Sequence, residues 1–584
     1  MPRISFSALF VVVITFVILT LNITPLVIHI RHSPADRQFS LIHNNVQDFY
    51  FYQALMNRGA SGDWLTQDPF TSEPHQPSVI FSYFVWLGKV SKLFGISFAI
   101  TYHIIRFLAG ALFFFVSYQL IRLLQIPHKN LAFFFFVFAA PLMMNDAPFM
   151  NWWTGMDPVR RAAYLPHHMI GAISLITSII LILKYVNNRS STEISKIKYQ
   201  KSNIKSIIAA SLLVPLLAFI HTPSLFILLL ILPPTLFIYF LRKLSLNFHS
   251  KNFHLKQFIG PLEHWNIGTL IFWLIGLISL LIMFSQTNRG FPWTQYIEWE
   301  KTLQFPLASD LPAALGILFP FALMGTIVSL FSKRFERILV ACWFIVPILF
   351  IPLAPRLGIS NIRLIQGVPY LPLAILSTIG ISATQRIFSK FLISNFQFLI
   401  NFKSQMFKNL KNKNLDLMRN FELKIKNYYV PVVVLIVFIG FTYPTIVWSV
   451  KDQIREYWTQ YSNVYLDKRL FDAFAFINVT FPKNTITLST FYTGNYLPVY
   501  TPTRSYMGHS GYTAHVSQKE PQVTRFFKGE MKEEEAKSLL VDNKITLVFA
   551  GPDEKSLYGG SLYPTLLTPI YNQDAVTIYV LKMT

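Results

Sequence analysis

The chain has 584 residues, 53% hydrophobic, 16% aromatic and only 14% charged, with a formal net charge of +23. A soluble globular chain carries about 25% charged residues, so soluble, disordered and disulfide-rich classes are excluded and a multi-span membrane protein remains. The single cysteine, Cys342, sits in an apolar run, where it reads as a small buried side chain with no internal disulfide partner.

In chain order, the apolar run 5–30 follows Met1-Pro2-Arg3. It exceeds a signal-peptide core and has no small-residue cleavage site, so it reads as a retained span. Further runs of spanning length lie at 97–121, 130–146, 169–186, 206–221, 223–241, 266–285, 311–331, 337–354, 364–385 and 429–450. Together they make about eleven spans. Pro215, Pro233 and Pro234 interrupt the pair around His221. No internal repeat of fixed period is visible.

With the N-terminus inside, loops alternate sides and their charges separate. The inner loops 187–205 and 386–427 are dense in Lys and Arg, while the outer loops 31–77 and 286–310 carry Asp36, Asp48, Asp63, Asp68, Glu73, Glu298, Glu300 and Asp310. Much of the basic excess is therefore positive-inside bias, and no nucleic-acid partner is expected. The stretch 386–427 alternates Phe, Leu and Ile with Lys, as suits either a helix on an anionic inner leaflet or a solvated loop.

The tail, 451–584, has soluble composition. A helical-looking segment (453–474) is followed by β-like runs at 485–489, 546–550 and 576–581, with an acidic helix around 532–540. This alternation predicts a small extracytoplasmic α/β domain. The expected architecture is mainly α: a transmembrane bundle over 1–450, with outer loops 31–77, 147–168, 286–310 and 355–363, followed by the domain 451–584. The expected location is the plasma membrane, with the N-terminus cytoplasmic and the tail outside. Asn478-Val479-Thr480 forms a glycosylation sequon, a triplet common by chance.

The polar residues that suit chemistry gather in outer loops. Asp48 lies in Gln47-Asp48-Phe49-Tyr50-Phe51-Tyr52, an aromatic, helical-looking stretch whose carboxylate suits a general base. Asp63 and Asp68, the latter before Pro69, fit turns or caps. The second loop holds Asp157, a secondary candidate base, followed by Arg160, Arg161, His167 and His168. Two arginines and two histidines at a membrane entry suit a phosphate or a lipid headgroup. Adjacent histidines on a helix point about 100° apart and are weak metal evidence. Arg356 and Arg363 oppose the positive-inside trend, and require a carboxylate, a lipid headgroup or a substrate phosphate. In the tail, Gly494 and Gly508 would permit turns that bring Arg504 and His509 to one edge, for binding acceptor or sugar or for loop packing.

The order of parts resembles the GT-C class of integral-membrane glycosyltransferases, which includes the oligosaccharyltransferases and the protein mannosyltransferases of family 39. Gln47-Asp48-Phe49-Tyr50 occupies the place of the class's first-loop catalytic aspartate. Gly62-Asp63-Trp64 to Asp68-Pro69, with Pro77, Tyr83 and Gly88, resembles the rest of that loop and the following helix. Arg363, Gly367, Pro369 and Pro372-Leu373-Ala374 resemble its late loop-to-span junction. The resemblance spans the architecture but only short patches of sequence. It implies a polyprenyl-phosphate-linked sugar donor, Asp48 as the catalytic residue, and a glycan, lipid or protein acceptor on the outer face. The chain departs from the oligosaccharyltransferases in having no Asp-x-Asp at Asp48, and from the protein mannosyltransferases in lacking their adjacent Asp-Glu pair. A divalent metal is thereby left open.

Three functions compete at this level. The outer-loop acids favour a glycosyltransferase over a transporter or flippase of lipid-linked substrates, which needs polar groups along a path through the bilayer. A non-catalytic scaffold with an outer binding domain explains neither Asp48 among aromatics nor Arg356 and Arg363 outside.

Overall fold

The computed structural model describes residues 5–187, 196–248, 267–406, 430–558, 560–573 and 575–582. The second half of the basic stretch 386–427, residues 407–427, lies outside them. Among the described residues, eight helices are long and apolar enough to cross a membrane, and the chain is an integral membrane protein. The difference from the longer expected series has three sources. Runs 206–221 and 223–241 form one element, Lys196–Phe248, bent at His221. Run 130–146 yields only the ten-residue helix Lys129–Phe138, and run 337–354 the sixteen-residue helix Phe335–Phe350.

The chain divides into two compact units. The first contains residues 1–22, 108–280 and 303–450 and is a bundle of apolar helices. Its interior is aliphatic and aromatic: Phe113, Phe114, Phe133 and Phe136 pack edge to face or tilted. Between lipid-bathed helices, packing relies on small residues. Where Phe319–Leu330 meets Tyr370–Met406, a Cβ on Gly325 would lie 1.9 Å from the Leu376 carbonyl oxygen. Ser377 Oγ donates to the Leu318 carbonyl beside it, at 3.0 Å.

The second unit contains residues 23–107, 281–302 and 451–584. Its five-stranded sheet has the order Arg504–Ser505, Ile486–Leu488, Ile545–Ala550, Val576–Leu581, Leu567–Gln573. The first three strands run parallel and the last two are antiparallel to their neighbours. Ile486–Leu488, Ile545–Ala550, Val576–Leu581 and the helix Glu533–Asp542 match the expected β-like runs and acidic helix, whereas Arg504–Ser505 and Leu567–Gln573 are strands that the sequence reading does not anticipate. The core pairs Leu488, Val548 and Tyr579 of the sheet with Phe526, Phe527, Leu539 and Leu540 of the helices. The expected helix over 453–474 is broken: Tyr465–Asp467 leaves it and pairs antiparallel with Arg37–Phe39. That pairing satisfies backbone groups on both segments.

Candidate functional site

Asn45 opens the helix Val46–Ala60, its side chain accepting the backbone N–H of Asp48 at 3.1 Å. Asp48 therefore sits in the first helical turn, where the positive end of the helix dipole favours a carboxylate. Its Oδ1 lies 3.4 Å from Nε2 of His509; the Asp48 side chain is 41% exposed and that of His509 only 7%. Nδ1 of His509 accepts the N–H of Gly511 at 3.0 Å. In the neutral ring the proton is consequently on Nε2, the nitrogen nearest the carboxylate.

The surroundings hold both partners in place. The His509 ring packs among Phe51, Phe70 and Tyr512, and Phe51 stacks on Tyr512 at 4.2 Å. Gln47 Oε1 accepts the N–H and the hydroxyl of Ser510, each at 3.0 Å. Thr513 Oγ1 accepts the N–H groups of Gly508 and His509 and donates to the Phe70 carbonyl. Gly494 and Gly508 do not make the expected turns. Gly494 lies inside the helix Phe491–Tyr500, and a Cβ on Gly508 would come within 2.4 Å of its backbone. The pair permits close packing of two backbones.

Asp63, Asp68 and Arg504 of this unit are held by the fold. Asp63 accepts Arg58 Nε at 2.9 Å and Lys483 Nζ at 2.7 Å. Asp68 is fully buried; its carboxylate accepts the N–H of Phe70 at 2.9 Å. Burial raises its pKa to about 7, against the opposing pull of the Phe70 hydrogen bond, Arg504 and Lys519. Arg504 Nη2 donates to the Thr71 carbonyl at 2.6 Å and the Glu73 carbonyl at 3.2 Å, bracing the first loop.

In the first unit, Asp157 caps the helix Pro158–Ala162, with Oδ1 accepting the N–H groups of Val159 (2.7 Å) and Arg160 (3.0 Å). Arg160 is buried beside it. The Arg161 guanidinium donates to the carbonyls of Met156 and Ala139, at 2.9 and 2.8 Å, and lies over the Tyr370 ring. These contacts terminate neighbouring helices, leaving Arg161 committed to the fold.

His167 and His168 begin the helix Pro166–Asn187 and meet His221. The ring centroids are 4.5 Å apart for His167–His168, 4.3 Å for His168–His221 and 6.3 Å for His167–His221. His221 is where the long helix breaks, with φ −153° and ψ 79°. Its Nδ1 is 2.7 Å from Ser224 Oγ, and its buried Nε2 has no hydrogen-bond partner among the described residues. Arg363, half-buried and donating to Gln366 Oε1 at 3.2 Å, is within electrostatic reach of His168 and His221. His167, His168 and His221 thus cluster at a helix N-terminus, with the Arg363 guanidinium within electrostatic reach. Arg356 is exposed.

Two features escaped the reading of the sequence. His221 was noted only as the centre of an irregular hairpin; its signal was a histidine one residue before Thr222-Pro223 within an apolar run. Arg106, inside the span Phe98–Leu123, is buried and donates from Nε to His103 Nδ1 at 2.9 Å. His103 Nε2 is 2.8 Å from the Leu41 carbonyl, so this chain of contacts reaches the first loop. A charge within a span is itself the signal. Among the described residues no group of three or more His, Cys, Asp or Glu side chains converges as a metal site.

No family model matches the chain, and no curated protein matches its sequence. Solved structures do match. The apo oligosaccharyltransferase of Archaeoglobus fulgidus superposes with a TM-score of 0.53 at 13% identity, covering 96% of this chain and 72% of that one. The archaeal oligosaccharyltransferase AglB from the same organism, in complex with an inhibitory peptide and a dolichol-phosphate, gives 0.52 at 14% identity, covering 93% and 70%. The chain has the GT-C fold. An ArnT from Cupriavidus metallidurans bound to undecaprenyl phosphate aligns over 97% of both chains, at 12% identity and a TM-score of 0.48.

Proposed function

We propose that the chain is a membrane glycosyltransferase. It moves a sugar from a polyprenyl-phosphate-linked donor to a glycan, lipid or protein acceptor on the extracytoplasmic face. The domain 451–584 and the first loop lie outside, and the N-terminus lies in the cytoplasm. The observation that carries this reading is Asp48: a half-exposed carboxylate at a capped helix N-terminus, beside His509, on a GT-C fold. The dolichol-phosphate held by AglB supports the class of donor.

In the proposed reaction Asp48 takes the proton of the acceptor hydroxyl as its oxygen bonds to the anomeric carbon. The bond from that carbon to the phosphate oxygen breaks, and its electron pair leaves on the phosphate. The leaving phosphate already delocalises its charge, so one carboxylate suffices, unlike the paired acids of glycoside hydrolases. Attack opposite the leaving group inverts the anomeric centre. Arg363, with His168 and His221, is assigned to the donor phosphate, and His167 and Arg160 to the same headgroup. Exposed Arg356 is assigned to lipid or donor headgroups.

The test is transfer of tritiated sugar from mannosyl, glucosyl and arabinosyl polyprenyl phosphates by the purified chain, with Asp48→Asn in parallel. No transfer from any of them would count against the reading. The helix break at His221 favours a second reading, a flippase of lipid-linked substrates, because carriers place broken helices at their binding sites. Flipping of a fluorescent polyprenyl phosphate in sealed vesicles, unaltered by Asp48→Asn, would favour it.

A further inference from the structure

We infer that His509 is a positioning residue for the Asp48 carboxylate, so that the tail 451–584 supplies part of the catalytic apparatus. This rests on the proposed role of Asp48 as base. The argument begins with the constraint on the ring. Gly511 N–H is donated to Nδ1, which fixes the neutral tautomer with its proton on Nε2. Phe51, Phe70 and Tyr512 surround the ring, leaving the side chain 7% exposed. A histidine locked in this way has one polar group left to offer, and Asp48 Oδ1 stands 3.4 Å from it. That distance is long for a hydrogen bond, as such contacts often are before substrate binds.

Asp48 is the more exposed member of the pair. Its backbone is fixed by Asn45, but its side chain is 41% exposed. Without a partner the carboxylate would sample several rotamers, of which few present an oxygen correctly to an acceptor hydroxyl. The Nε2–H of His509 holds Oδ1 and leaves Oδ2 for the acceptor's proton. His509 keeps its own proton throughout; the acceptor's proton ends on Asp48, and the electron pair of the broken bond ends on the phosphate. The neighbouring titratable groups are Tyr512 and Tyr296, whose hydroxyls bond to each other. Gln47, tied to Ser510, keeps the two segments in register.

The experiment separates donor from shape. His509→Leu keeps a side chain of similar volume without the N–H, whereas His509→Gln restores a donor at similar reach. Turnover of a tritiated monosaccharyl polyprenyl phosphate should fall about 10- to 100-fold in His509→Leu, with KM for the donor substrate unchanged, and recover substantially in His509→Gln. Equal turnover by both variants, or an effect confined to KM, overturns the inference. A second measurement needs no activity. In the full chain labelled with nitrogen-15 histidine, the His509 signals, assigned by their loss in His509→Gln, should report Nε2–H. They should shift in Asp48→Asn but not in Asp36→Asn, since Asp36 is largely exposed elsewhere in the loop. Unmoved signals in Asp48→Asn would remove the contact and with it the inference. Full turnover by Asp48→Asn with shifted signals would instead sink the assignment of Asp48 as base.

Discussion

Gly171 and His221 are packed so closely that a Cβ added to the glycine would lie 2.4 Å from the Cβ of the histidine. The contact joins the helix begun by His167 and His168 to the break in the long helix. Gly171→Ala must displace His221, at about 1–3 kcal/mol of overpacking. Binding of polyprenyl phosphate, read by quenching of a fluorescent analogue, should weaken, while Ala substitutions elsewhere on that helix leave it intact. Undiminished binding would separate the histidine cluster from the donor.

Asp48→Asn keeps the size of the side chain and removes the base. Because general-base catalysis contributes about 10²–10⁴-fold, turnover should drop by that range with donor binding and thermal stability retained. Single-turnover kinetics at saturating donor provide the check, and a wild-type rate would move the base elsewhere.

Arg363→Ala should cost donor affinity about 10- to 150-fold, the range for a charge-assisted contact. Arg363→Lys should recover little if the guanidinium binds in bidentate fashion. Arg356→Ala, at an exposed position, should have a smaller effect that fades as salt is raised. Titration of each variant with polyprenyl phosphate distinguishes the two arginines.

Asp63→Asn should act on stability. It breaks contacts to Arg58 and Lys483 at 2.9 and 2.7 Å; Arg58 is nearly buried, but Asp63 retains some solvent. The expected loss is about 1–3 kcal/mol, seen as a lower melting temperature with kcat unchanged. A large kcat defect at unchanged stability would return Asp63 to the catalytic candidates.

The pH dependence of stability carries the signature of Asp68. Its pKa is raised to about 7 in the fold by burial, above its unfolded value of about 3.9. Between these values the folded state holds the extra proton, so this group's contribution to stability declines as pH rises from about 4 to 7. Glu73 opposes it. Burial pushes its pKa up, but the hydrogen bonds from Lys519 and Thr71 prevail and lower it, so its contribution is lost as pH falls through the acid range. Melting curves of Asp68→Asn should lack the decline across pH 4–7 that wild type shows relative to it. Parallel curves would mean that the buried carboxylate stays ionised.

The sheet was legible because β-branched runs such as Ile486-Thr487-Leu488 and Val576-Thr577-Ile578 stand between polar turns. The break at Tyr465–Asp467 was not, since its partner strand, Arg37–Phe39, is remote in sequence and no local pattern announces it. The same reason hid the approach of His509 to Asp48: each residue stood out alone, but proximity is a property of the fold. Asp157 was readable in retrospect. Aspartate directly before proline is a helix N-cap followed by a favoured first position, and the structure uses it so. The histidine cluster stayed hidden because a histidine within apolar sequence looks like any buried polar residue until neighbouring helices are in place.

The ladder of Arg37–Phe39 against Tyr465–Asp467 also has a consequence for biogenesis. The segment 31–77 leaves the ribosome long before its strand partner is made. Until then Asp48 and its helix lack the segment around His509, and the buried aromatic residues Phe49, Tyr50, Phe51 and Tyr52 lack part of their cover. Folding of this segment therefore waits on synthesis of the last apolar helix, Val430–Thr459, and of the residues that follow it. Nascent chains arrested before that span should expose the loop to protease on the side where it emerges, and chains released with the tail complete should shield it.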